Sequence, residues 1–161
     1  EITRLDEITE LGYDGVEFLI STNPGDPLRP MSKIASGGEI SRIMLAFKHI
    51  IGSNDSVETM IFDEIDTGIS GKTALVVGHK LSEIAKHRQI VCITHLPQIA
   101  ASGDDNFSID KKISDGKSHT VIEHLNDNGK LEMLARLISG APDSSNAIEA
   151  ARELIAAVKT E

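Results

Sequence analysis

Two short apolar runs constrain the fold of this chain more than any other feature. "TMIF" (Thr59 to Phe62) and "QIVCIT" (Gln89 to Thr94) have strand length, and "KTALVVGHKLSEIAKH" between them reads as a helix. A strand, a helix and a second strand joined by so long a crossover form a parallel βαβ unit. The first run has no polar alternation, which predicts a strand buried on both faces. Ligands of such sheets gather beyond the carboxyl ends of the strands. Asp63 and Glu64 stand at the end of the first strand, and His95 at the end of the second.

The rest of the chain fits an α/β class. From Gly37 to Ile51, Ile40, Ile43, Met44, Phe47 and Ile51 recur at helical spacing, with Ser36 placed as N-cap and Glu39 three residues on, the pattern of a capping box. "GVEFLIS" reads as a strand, "FSIDKKISDGKSHTVIEHL" as a hairpin turning at Asp115-Gly116, and "KLEMLARLIS" and "SSNAIEAARELIAAVK" as closing helices, the second starting from Ser144 or Ser145. Ile2, Leu5, Ile8 and Leu11, three apart, predict that residues 1–12 are the end of a helix arriving from upstream. "NPGDPLRP" (Asn23 to Pro30) is the one linker-like patch and separates a short lead-in from the rest, and beyond the helix end the main unit is expected to span 13–161.

Gly71-Lys72-Thr73 invites a phosphate-binding P-loop, and counting excludes it. GxxxxGK[ST] needs a glycine at 66, where this chain has Asp66, a carboxylate that would face the phosphates. Acids after an apolar strand suit a different task, Asp63 holding magnesium and Glu64 polarising a water, although solvated acids at a strand end are common. Ser36-Gly37-Gly38 before a helix offers bare N–H groups and the positive end of the helix dipole to a phosphate, or serves as a plain cap. His95 precedes Pro97, a residue suited to a first helical turn, and at that strand end it either reaches a γ-phosphate or is structural.

Composition narrows the partners. Sixteen basic and 25 acidic residues give a net charge of −9, which disfavours broad, direct contact with DNA. The single Cys92 sits in an apolar strand, where an inert thiol is expected, and it allows no internal disulfide, which fits a reducing cytosol. No apolar run of about 18 residues predicts a membrane span. His79 with His87, and His119 with His124, lack the close spacing of a zinc site. Met44, Met60 and Met133 read as core residues.

Three motifs in order, "KIASGGEISRIMLAFK", "TMIFDEIDTGISGKTA" and "CITHLPQIAA", resemble the C-terminal lobe of ATP-binding-cassette (ABC) ATPase heads of the SMC type. Within that class the wording is similar to the RecN family of bacterial DNA-repair proteins, and the likeness runs from about Lys33 onward. It implies a mainly parallel sheet flanked by helices, with a C-terminal hairpin and helices. It implies that Ser36, Gly37, Gly38 and Glu39 form the signature loop, which contacts ATP held by a second copy of the head. By the same resemblance Asp63 binds Mg2+ as the Walker B aspartate, Glu64 is the general base, His95 is the switch histidine, and Ile65 to Gly71 form the D-loop. Ser70 stands where many SMC-type heads carry an aspartate, which favours the RecN form.

In this family the Walker A loop lies in an N-terminal lobe across a long coiled coil, so this lobe alone is expected to lack ATPase activity. The resemblance implies ATP hydrolysis between dimerised heads in DNA double-strand break repair and recombination, in the cytoplasm at the nucleoid, with DNA met through the full-length protein. The alternatives are the head of another SMC- or RecF-like chromosome protein, a non-catalytic dimerisation module, and a phosphotransferase using Lys72 and Thr73.

Overall fold

The computed structural model describes residues 1–21, 24–33, 36–51, 57–114, 116–140 and 144–159. Asn23 of the linker-like patch and Asp115 of the hairpin turn lie outside the described residues.

At the centre, strand β5 (Thr59–Phe62) pairs in parallel with β6 (Gln89–Cys92), in the register Thr59↔Gln89 to Phe62↔Cys92. Helix α2 (Gly71–Ala85) makes the crossover between them. The parallel βαβ unit forms as the sequence predicts. A further ladder bond from Ile93 N–H to the Phe62 carbonyl, 3.0 Å, carries the pairing beyond the strand ends. Helix α1 (Gly37–Ile51) packs against α2. Leu45 of α1, Met60 and Phe62 of β5, Ile65, and Ala74, Val77, Leu81 and Ile84 of α2 bury one core together with Ile99 of the short helix α3 (Pro97–Ala101).

That core covers only one face of the strand pair. Met60 and Phe62 are buried, whereas Ile61 is 70% exposed and Val91 and Ile93 are about half exposed. The expectation of burial on both faces is thus corrected for the described residues. An unalternating apolar strand needs a layer on each side, and the helices here supply one.

A second core holds the closing helices. α3 lends Ala100 and Ala101 to Leu134 and Ala135 of α4 (Asp127–Ser139) and to Ala147 and Ala151 of α5 (Ser145–Lys159). Small alanines on facing helices let the backbones approach closely. α4 is capped at its start by Asn126, whose Oδ1 accepts from Gly129 N–H at 2.9 Å, and at its end by Gly140 at φ 73°. Ser144 Oγ accepts from Ala147 N–H at 3.4 Å, so Ser144 serves as the cap of α5, which begins at Ser145.

The remaining sheets are antiparallel and two-stranded: β1 (Ile2–Thr9) with β2 (Gly12–Val16), β3 (Leu19–Ile20) with β4 (Arg29–Pro30), and the long hairpin β7 (Asn106–Ser114) with β8 (Lys117–Leu125). The "GVEFLIS" stretch therefore ends one strand and supplies another. The N-terminal segment is a correction. Residues 2–9 form a strand and not a helix, paired from Ile2↔Val16 to Thr9↔Gly12. Its apolar triplet spacing faces no partner, since Ile2, Ile8 and Leu11 are exposed. Local chemistry wins instead. Gly12 turns at φ 104°, Thr9 Oγ1 donates to the Gly12 carbonyl at 2.9 Å and accepts from Leu11 N–H, and β-branched Ile2, Thr3, Ile8 and Thr9 suit a strand.

Candidate functional site

The carboxyl edge of the β5–β6 pair gathers the residues singled out in the sequence. Asp63 and Glu64 leave β5, both exposed. Asp63 Oδ1 accepts from Glu64 N–H at 2.9 Å, and its second oxygen has no hydrogen bond to a described residue. Glu64 adopts φ 57°, and among the described residues it is the only non-glycine with positive φ. A left-handed backbone at a side chain of this size costs about 1–2 kcal/mol, so the surroundings must hold it there.

Those surroundings are the start of α1. A Cβ on Gly37 would collide with the Glu64 carboxylate. One on Gly38 would lie 2.8 Å from the Thr67 carbonyl and 2.9 Å from the Glu64 carbonyl. Gly38 is therefore required by backbone contact with the 64–67 turn, whereas at Gly37 only the mobile end of the Glu64 side chain would have to move. Ser36 Oγ accepts from Glu39 N–H at 3.5 Å, the forward half of the expected capping box, and the reciprocal bond is absent among the described residues.

Two further side chains of α1 tie the helix to the same turn, and the sequence did not single them out. Ser41 Oγ donates to the Asp63 carbonyl at 2.9 Å. Arg42 Nη1 donates to the carbonyls of Ile65 at 3.0 Å and Thr67 at 2.8 Å. Both lie one helical turn past the Ser36 cap, a position whose polar residues would signal contacts with a following loop.

His95 follows β6, with its side chain 72% exposed. Its anchor is Asp66, the residue that disqualified the P-loop. Asp66 is 3% exposed. Its Oδ2 accepts from Thr94 Oγ1 at 2.6 Å and from His95 N–H at 2.8 Å, and it lies 2.9 Å from His95 Nδ1. Burial by itself would raise the Asp66 pKa, but the hydrogen bonds from Thr94 and His95 and the nearby imidazole outweigh it, and the net shift is downward. Lys72 and Thr73 sit exposed on the first turn of α2, as an ordinary helix start, and Ser70 precedes it without a side-chain capping bond.

The inert-thiol reading of Cys92 holds. Burial, with the nearby Asp66 and Asp63 charges, pushes its pKa up to about 11, so it stays a protonated thiol at neutral pH. No group of three or more His, Cys, Asp or Glu side chains that could hold a metal occurs among the described residues. No helix among the described residues is long and apolar enough to cross a membrane.

No protein-family model matches the chain. A solved structure described as "Structural biochemistry of ATP-driven dimerization and DNA stimulated activation of SMC ATPases" aligns with a TM-score of 0.47 at 24% identity, covering 75% of this chain and 80% of that one. The curated relatives are nearer in sequence. "DNA repair protein RecN" of Halalkalibacterium halodurans is 47% identical over 146 residues, which is 91% of this chain and 26% of that protein. The protein of the same description from Treponema pallidum is 46% identical with the same coverage. That of Bacillus subtilis is 44% identical over 149 residues, 92% of this chain and 26% of the relative. The chain spans about a quarter of the length of these relatives. With identity of this degree over nine-tenths of its residues, the chain belongs to the RecN family.

Proposed function

We propose that this chain is the C-terminal lobe of an SMC-like ABC ATPase head that hydrolyses ATP between two paired heads during repair of DNA double-strand breaks. The observation that carries the reading is one juxtaposition: signature glycines Gly37 and Gly38 seated on Glu64 and Thr67, beside an anchored His95, at one sheet edge. The whole protein would comprise an N-terminal lobe with the Walker A loop and a coiled coil, and DNA would be met by the full-length protein, since this lobe is strongly acidic. It would act in the cytoplasm, at the nucleoid.

In this reading Asp63 offers its free oxygen to magnesium, which when bound neutralises charge on the β- and γ-phosphates. Glu64 accepts the proton of the attacking water, and the strained turn fixes its carboxylate beside Gly37. His95 meets the γ-phosphate of the same nucleotide. Ser36, Gly37, Gly38 and Glu39 present hydroxyl and N–H groups at the start of α1 to a nucleotide held by the opposite head. Because α1 is tied to the turn that bears Glu64, engagement of one nucleotide bears on the general base that serves the other.

Glu64→Gln in the full-length protein is the test. It keeps the side-chain shape and removes the base, so ATP binding measured by calorimetry should persist while the turnover number falls by roughly 10²- to 10⁴-fold. Turnover at the normal rate would overturn the assignment. For this chain alone, which contains no GxxxxGK[ST], the same calorimetry should detect no tight ATP binding, and micromolar affinity would count against the two-lobe reading.

A further inference from the structure

Asp66 lies within the D-loop stretch but has been given no part in binding nucleotide or in the reaction, and its environment is unusual. One buried carboxylate oxygen faces three groups of the Thr94–His95 turn: the Thr94 hydroxyl and the His95 backbone N–H donate to it, and His95 Nδ1 lies 2.9 Å away. The Thr94 hydroxyl oxygen in turn accepts from Leu96 N–H at 3.1 Å, which fixes the turn leading into α3. Asp66 thus holds the backbone of His95 and faces its ring from the same atom, while most of the ring stands in solvent.

We propose that Asp66 is the positioning residue of His95, setting which ring nitrogen faces the reaction and in what proton state. This rests on the reading of His95 as the γ-phosphate contact. An ionised carboxylate oxygen 2.9 Å from Nδ1 would repel a lone pair there and attract a proton, so Nδ1 is the nitrogen that carries it. In the neutral ring Nε2 is then bare. A phosphate oxygen is also an acceptor, so Nε2 can bond it only after taking a second proton. His95 therefore meets a phosphate as an imidazolium, its charge held between Asp66 on one side and the phosphate on the other. The net downward shift of the Asp66 pKa is consistent with a carboxylate that stays ionised for this task. Asp66 acts through His95 and touches no reacting atom itself.

The test uses the full-length protein. Asp66→Asn keeps an oxygen that can accept but removes the charge that supports the imidazolium. The turnover number should fall roughly tenfold with the KM for ATP little changed, since a charge-assisted bond is replaced by a neutral one. In a His95→Ala background the same substitution should cost no further turnover. An equal loss in both backgrounds would mean that Asp66 merely braces the fold, and would overturn the proposal.

A second measurement needs no Asp66 variant, should that protein fail to fold. Nitrogen NMR of histidine-labelled protein, with His95 assigned from His95→Gln, should show the proton on Nδ1 in the nucleotide-free protein and on both nitrogens with a non-hydrolysable ATP analogue. A proton on Nε2 alone in the free protein would overturn it. If His95→Ala leaves turnover intact, the assignment of His95 itself fails. If His95→Ala is slow but Asp66→Asn is not, only the role given to Asp66 fails.

Discussion

Glu64 shows how much can rest on one backbone angle. Its φ of 57° is a conformation that glycine adopts without penalty and a long side chain does not. Glu64→Gly should therefore relieve about 1–2 kcal/mol of strain in the folded state, offset by about 0.5–1 kcal/mol of added freedom in the unfolded chain. The net expectation is a small gain, seen as a thermal midpoint equal to or above that of the parent in calorimetric scans of this chain. A clear drop would mean that the Glu64 side chain stabilises the fold, and that its strained position is not held for chemistry. Asp66 gives the opposite lesson in reading residues. Its place in the sequence says only that no P-loop exists, whereas its burial beneath His95 gives it a structural partner that spacing along the chain could not reveal.

Among the elements, α1 is decided by two kinds of information. The recurrence of Ile40, Ile43, Met44, Phe47 and Ile51 specifies a helix, and Ser36 specifies where it begins, so its bounds are legible from local chemistry. What the helix is attached to is not. Arg42 reaches two carbonyls of the 65–67 turn, more than twenty residues away, and only the packing of α1 into the core with β5 and α2 brings that turn within reach. Arg42→Ala should remove two charged hydrogen bonds and leave those carbonyls to water, costing about 1.5–3 kcal/mol in urea unfolding. A change under about 0.5 kcal/mol, the size expected of an exposed site, would show that the clamp is not formed in solution. The N-terminal hairpin is the case in which local signals conflicted. A three-residue apolar spacing over eleven residues is weak, because a strand reads the same residues with a different period, and the Gly12 turn settled the matter.

The whole molecule is two helix-lined cores joined by α3, with the parallel pair bare on its outer face. Ile61, Val91 and Ile93 present an apolar surface there that the described residues do not cover. Under the proposed architecture the N-terminal lobe lies against it. Ile61→Ser should then cost less than about 0.5 kcal/mol in this chain, where the side chain is already exposed, and about 1.5–3 kcal/mol in the full-length protein, where it would be buried. Urea unfolding of both forms makes the comparison, and equal costs would remove that face from the interface between lobes.

At this scale the division between sequence and tertiary structure is clear. Sequence by itself determined the parallel βαβ unit, α1 with its cap, the β7–β8 hairpin and the closing helices, because period, caps and turns act over a few residues. It also placed Asp63, Glu64 and His95 at strand ends, because a parallel crossover puts both carboxyl ends on one edge. Tertiary structure alone decided that Gly37 and Gly38 are packed against Glu64 and Thr67, that Arg42 holds the turn, that Asp66 anchors His95, and that one face of β5 stays bare. Those are contacts between residues distant along the chain. Their distances depend on how elements pack, which no local pattern encodes.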